Sequence, residues 1–175
     1  MALQSEIQHG MFIMPFHPPD KPLGQSLDED LELVVLAEEL GFSEFWIGEH
    51  HTMKYEPIVM PEIFIARALG ETSTIRLGAA PVCLNQHHPA HVACRLAFLD
   101  HLSKGRLNLC FGSGSVTADH ELYGVEPKAG SAMVREAIDI ILMFWQSDPP
   151  YHFEGEFWQI HLEECVDSET GIGYI

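Results

Sequence analysis

Apolar residues gather in short runs at residues 10–14, 44–48, 75–84 and 106–112, each bounded by turn-forming residues and about thirty positions from the next. Runs of that length suit strands, and the intervals between them repeat with helical spacing. Leu27, Leu31, Val34 and Val35 define the first helix, with Ser26 and Glu29 as an S-x-x-E capping box at its start and Gly41 as its stop. Pro61 opens a second helix through Ile63, Ala66 and Leu69 to Gly70. Pro89 opens a third through Val92, Leu96 and Leu99 to Gly105, and a fourth is expected over about residues 131–145.

Strand and helix alternating four times imply parallel pairing with right-handed crossovers, so the choice narrows to a doubly wound open sheet or a TIM barrel. A dinucleotide-binding sheet places a glycine-rich turn after its first strand, whereas this chain continues into Pro15-Phe16-His17-Pro18-Pro19. Polar residues collect instead just beyond successive strands, at Glu49-His50-His51, at Asn85-Gln86-His87-His88 and at residues 113–119. That edge carries the active site in barrels. The expected fold is therefore α/β of the TIM (β/α)8 barrel type, truncated to about the first four β/α units. Residues 1–175 are read as a single domain. Within it, residues 146–175 form a small β-excursion around Gly155 and a tail, and no fifth buried strand follows.

A chain of 175 residues, 46% of them hydrophobic, can bury one core. Asp and Glu outnumber Lys and Arg by 26 to 9, a formal charge of −17 that repels nucleic-acid phosphates and anionic lipid heads. Neither is an expected partner. The opening residues have no basic stretch followed by an apolar run, and no segment reaches the roughly 20 apolar residues of a membrane helix, so a cytoplasmic protein is expected. Cys83, Cys94, Cys110 and Cys165 form no C-x-x-C pair and lie mostly in apolar runs. They are expected to be reduced and to pack as small hydrophobes.

The imidazoles of His50 and His51 emerge where the second strand ends, a position suited to exchanging protons near neutral pH. With His87, His88 and His91 they also admit reading as metal ligands, as in barrel hydrolases, although no H-x-H spacing is present. His91 is expected on the outer surface of the third helix. Gly112-Ser113-Gly114-Ser115 offers bare backbone N–H groups and hydroxyls that can approach a flat ring or an anion.

Several of these pieces carry a family resemblance. They are Ala37-Glu38-Glu39-Leu40-Gly41-Phe42 leading to Trp46-Ile47-Gly48-Glu49-His50-His51, then His88-Pro89, then Leu99-Asp100-His101-Leu102-Ser103-Lys104-Gly105-Arg106, and Tyr123-Gly124-Val125. In that order they resemble the luciferase-like flavin-dependent monooxygenases, especially the limonene-monooxygenase-like branch. The resemblance implies that reduced FMN, delivered by a separate flavin reductase, reacts with O2 to give a C4a-peroxyflavin that oxygenates a small apolar organic substrate. An F420-type deazaflavin serves some relatives and is the lesser cofactor reading. By the same matching, His50 is the catalytic histidine, and Ala80, Pro81, Gly112, Ser113 and Asp119 border the flavin. Phe12, Met14 and Phe16 are available to line the substrate pocket, no metal ligands are assigned, and a homodimer is implied.

Relatives place a cis peptide at the position of Ala80-Pro81. A cis bond costs about 3–4 kcal/mol without proline and roughly 0.5–1 kcal/mol before it, so this bond is expected to be cis. Family members continue for about as many residues again, and the chain alone is expected to be weakly active or inactive. The alternatives are a non-catalytic half-barrel that binds flavin or dimerises, and a metal-dependent barrel hydrolase.

Overall fold

The computed structural model describes residues 7–175; the reading of the opening residues as carrying no leader rests in part on positions 1–6, outside the described residues. The chain runs β1 (Gly10–Ile13), α1 (Leu23–Glu39), β2 (Glu44–Ile47), α2 (Pro61–Ala68), β3 (Arg76–Cys83) and α3 (Pro89–Ser103). It continues through β4 (Leu107–Gly112), α4 (Thr117–Leu122), α5 (Gly130–Gln146), β5 (Tyr151–Glu154) and β6 (Gln159–Leu162). Strands β1 to β4 form one sheet in sequence order, with β1–β2 and β2–β3 parallel. Sequential order without a reversal point is the order of a barrel, not of a doubly wound sheet.

The residues cluster into two compact units, one of Met1–Val82 with Leu99–Cys110 and one of Cys83–Phe98 with Phe111–Ile175. In the first unit, side chains alternate across the strands as period two requires. Phe45, Ile47, Leu77 and Leu107 are buried and join Val34 and Ala37 of α1 and Phe64, Ile65 and Ala68 of α2 in the apolar core. The opposite face carries Phe12, Trp46 and Gly78 in one register row. A Cβ on Gly78 would sit 2.5 Å from the Trp46 ring, so glycine makes the space the indole occupies.

Polar clamps gather at the N-terminal ends of β3 and β4. Arg76 donates from Nε to Asn108 Oδ1 at 2.7 Å and from its terminal nitrogens to the carbonyls of Gly105 and Leu107. Arg106 spans back to the Thr72 hydroxyl and carbonyl and to the Ile75 carbonyl. The Glu38 carboxylate, at the end of α1, accepts the backbone N–H groups of Ser73, Thr74 and Ile75 and the Thr74 hydroxyl. Burial alone raises the Glu38 pKa, but the donors from Ile75, Thr74 and Ser73 outweigh it and hold the carboxyl at about 2.

In the second unit, Ala137, Ile140, Ile141 and Phe144 recur at i, i+3, i+4, i+7 and bury one face of α5. The Phe144 ring meets Tyr151 of β5 edge to face with centroids 4.9 Å apart, and Trp145 Nε1 donates to the Ala93 carbonyl at 3.1 Å. β5 and β6 pair antiparallel around Gly155, as the sequence suggests. The Glu136 carboxylate secures their turn by accepting the N–H groups of Glu156, Phe157 and Trp158 at 2.8–2.9 Å.

Two sequence expectations need correction. Ser26 and Glu29 do not cap α1: the helix begins three residues earlier, after Pro22, with Ser26 buried inside it and Glu29 bound by Lys21 and Gln25. Proline at the N-cap fixes the entering backbone without a capping hydroxyl. Of the cysteines only Cys83 is buried, and Cys94, Cys110 and Cys165 are exposed; none of the four is in a disulfide among the described residues. α4 is also an addition to the expected elements, too short at six residues to show a period. The Ala80–Pro81 bond is cis, as expected, and so is Pro149–Pro150.

Candidate active site

In the first unit the loops after β1 and β2 meet. Gly48 N–H donates to the Ile13 carbonyl at 3.1 Å, extending the β1–β2 pairing one residue past the strand end. A Cβ there would lie 2.7 Å from Met14 Sδ, so the thioether packs directly over the bare Gly48 backbone. Met14 therefore rests on the backbone that leads directly into Glu49-His50-His51. The Phe16 ring stacks on Tyr55 with centroids 5.6 Å apart and planes within 9°, and His17 N–H donates to the Tyr55 carbonyl at 2.7 Å. His17 Nε2 pairs with Asp30 Oδ2 at 2.9 Å. Burial pushes the Asp30 carboxyl above its ordinary pKa, and the His17 hydrogen bond works against that rise.

His50 follows with its backbone N–H bonded to the Ile58 carbonyl at 3.2 Å and its ring Nε2 3.0 Å from Glu56 Oε2. Both side chains are nearly buried, 13% and 12% exposed, so the contact is shielded from bulk water. A carboxylate beside one ring nitrogen fixes the imidazole's orientation. The neighbouring His51 is held the same way, Nε2 to Glu49 Oε1 at 2.9 Å, with Glu49 buried. Of the other residues singled out in this unit, Phe12 is 52% exposed on the open face of the sheet, while Ala80 and Pro81 are half-buried in the C-terminal half of β3.

In the second unit, Gly112, Ser113 and Gly114 leave β4 as a turn with little room for side chains. Gly114 has φ +68°, and a Cβ on Gly130 would lie 3.2 Å from Ser113 Cβ and 3.5 Å from Asn85 Nδ2. The turn is held from α4, where the buried His120 donates from Nε2 to the Ser113 carbonyl at 2.8 Å, with Asp119 buried beside it in sequence. Asn85 is 3% exposed, yet among the described residues neither its Oδ1 nor its Nδ2 has a hydrogen-bond partner, and Gln86 Oε1 has none either. Buried amides of this kind call for a ligand or water. Both residues line a cavity of about 400 Å³ bounded also by Tyr123, Met133, Phe157 and Trp158.

The structure thus joins Met14 to the His50 loop and Ser113 to Asn85, each within one unit. Sequence reasoning passed over Glu56, Asn85 and His120. Glu56 lies six residues beyond His50 in an aperiodic loop, where its acidity was the one available signal. Asn85 stood in a polar quartet with nothing to separate it from its neighbours, and His120 sits on the short α4. Among the described residues no helix is long and apolar enough to cross a membrane.

A family model described as luciferase-like monooxygenase matches residues 7–168. The chain is 38% identical over 155 residues to a 4-hydroxyprotoasukamycin monooxygenase from Streptomyces nodosus subsp. asukaensis, covering 89% of the chain and 42% of that protein. It is 41% identical over 135 residues to a limonene 1,2-monooxygenase from Rhodococcus erythropolis, covering 77% of the chain and 35% of the relative. Among solved structures, it superposes with TM-score 0.86 and 26% identity on the oxygenating constituent of 3,6-diketocamphane monooxygenase from Pseudomonas putida, in complex with FMN. That match covers 94% of the chain and 46% of the solved one, so the chain spans less than half the length of each of these three.

Proposed function

Since the chain belongs to the luciferase-like monooxygenase family, we propose that it serves a flavin-dependent oxygenase that uses reduced FMN and O2 to oxygenate a small apolar organic molecule. The observation that carries this reading is His50, held by Glu56 at 3.0 Å at the tip of β2 beside the Met14–Gly48 contact. Bound FMN supplies the oxygen-activating chemistry, and the protein supplies position, dryness and a proton.

The residues fit such a group. A flavin is a flat ring with apolar faces and one edge of alternating donors and acceptors. The buried Asn85 amide offers a donor and an acceptor without partners among the described residues, and bare Gly130 lies against both it and Ser113. Gly112, Ser113 and Asp119 of the second unit are proposed to border the ring. His50 holds a proton and passes it during turnover. Phe12, Met14 and Phe16 present apolar surface to the substrate, of a size suggested by the terpene and diketocamphane names of the relatives. Because the matched solved chain is called the oxygenating constituent of its enzyme, a separate flavin reductase is proposed as partner. A homodimer in the cytoplasm completes the proposal.

The test uses a full-length version of the protein with photoreduced FMN, 18O2 and a panel of cyclic terpenes and ketones. Replacing His50 with Ala is expected to lower label incorporation by about 10²-fold or more while changing FMN affinity little, as for loss of a proton-transfer group. Unchanged incorporation in that variant would refute the role of His50.

A further inference from the structure

The β5–β6 hairpin of the second unit has two chemically distinct faces. Tyr151 and Ile160 are buried, with Phe153 and Leu162 partly so, while the other face is exposed and carries His152, Glu154, Gln159, His161 and Glu163. His152 lies directly opposite His161 in the antiparallel register, the ring centroids 4.9 Å apart. Glu154 follows His152 on the same face, two residues along, and its Oε1 is 3.0 Å from His161 Nε2. One ligating atom from each of His152, Glu154 and His161 lies within 4.8 Å of the other two.

A first-row divalent ion bonds imidazole nitrogen and carboxylate oxygen at about 2.0–2.2 Å, which spaces its ligands roughly 3–3.5 Å apart. The present spacing needs about an ångström of side-chain closure, open to half-exposed groups on a hairpin whose backbone stays paired. Glu163 Oε1 binds His152 at Nδ1, 2.9 Å away, which leaves the Nε2 of that ring for another partner. A carboxylate on the rear nitrogen of an imidazole is the arrangement that orients metal-bound histidines and raises their basicity. The contact between His161 and Glu154 is one a metal ion can replace by binding both groups. The chain's charge of −17 favours any approaching cation.

We propose that His152, His161 and Glu154 form a surface site for a divalent transition-metal ion, with Glu163 positioning His152. Two imidazoles and one carboxylate select Zn2+, Ni2+ or Cu2+ over Mg2+ and Ca2+, which require oxygen ligands. The ion bridges both strands, so its binding free energy adds to the stability of the hairpin. The site uses no residue assigned to the flavin chemistry and stands or falls apart from it.

The experiment titrates the chain with Zn2+ against a chromogenic chelator, repeats it with Mg2+, and follows the histidine ring signals by NMR. We expect one Zn2+ to shift the rings of His152 and His161, with no response to Mg2+. Replacing either His152 or His161 with Ala should weaken that uptake by about tenfold or more, and Glu163→Gln by a smaller factor. His91→Ala, on the exposed side of α3, should leave it unchanged. All these positions are exposed, so circular dichroism should report folded variants. Zn2+ uptake that persists in the His152→Ala, His161→Ala double variant, or saturation that leaves those two rings unshifted, would overturn the proposal.

Discussion

Replacing Glu38 with Gln removes the charge from a carboxylate that accepts three backbone N–H groups and one hydroxyl, at 2.6 to 3.1 Å, while leaving its shape. The shift from 4.5 to about 2 corresponds to at most about 3 kcal/mol of folded-state preference for the charged form. Glu38 is partly exposed and in the unfolded chain its charge is fully hydrated, so we expect about 1–2 kcal/mol of stability to be lost at pH 7. The sign follows from a depressed folded-state pKa: the contribution is complete above about 4.5 and disappears as pH falls from there through about 2. Urea unfolding of both proteins at pH 7, 5, 4 and 3, with constant m-value as the control, measures the gap. It should be widest at pH 7 and much narrower at pH 3. A gap that stays the same across that range would refute the assignment, because a loss independent of protonation belongs to packing.

Gly78→Ala should destabilise the chain by about 1–3 kcal/mol in thermal unfolding, because the added Cβ meets the Trp46 ring at 2.5 Å and Asn108 at 3.1 Å. Glu136→Ala should cost about 2 kcal/mol and speed amide exchange at residues 156–158, which lose their common acceptor. If exchange there is unchanged, the carboxylate is not what holds the turn. Glu56→Gln should reduce oxygenation about tenfold with FMN affinity nearly intact, since it removes the charge facing His50 Nε2.

Periodicity and turn chemistry made the β/α order legible. Gly41 and Gly105 end α1 and α3 with φ of +84° and +78°, a conformation glycine adopts without strain, and Pro61 and Pro89 begin their helices. Ser26 misled because the capping-box pattern is local, whereas the helix start was decided by Pro22, five residues before the apolar stripe begins at Leu27. Cys94 and Cys110 stand in apolar runs but on exposed sides of α3 and β4, a distinction that hydropathy along the chain does not make. The place of His50 just beyond β2 was legible from the sequence. Its partner Glu56 and the unpaired amide of Asn85 were not, because both depend on how aperiodic loops fold back, which no local pattern encodes.

The bare backbone of Gly78 beneath Trp46 also has an optical consequence. Trp46 is the single indole of the first unit, and Trp145 and Trp158 both belong to the second. A chain in which those two are phenylalanine would emit from the sheet alone, and the complementary Trp46→Phe chain from the second unit alone. Comparing their denaturation midpoints would reveal whether the two units melt in one cooperative step or in succession.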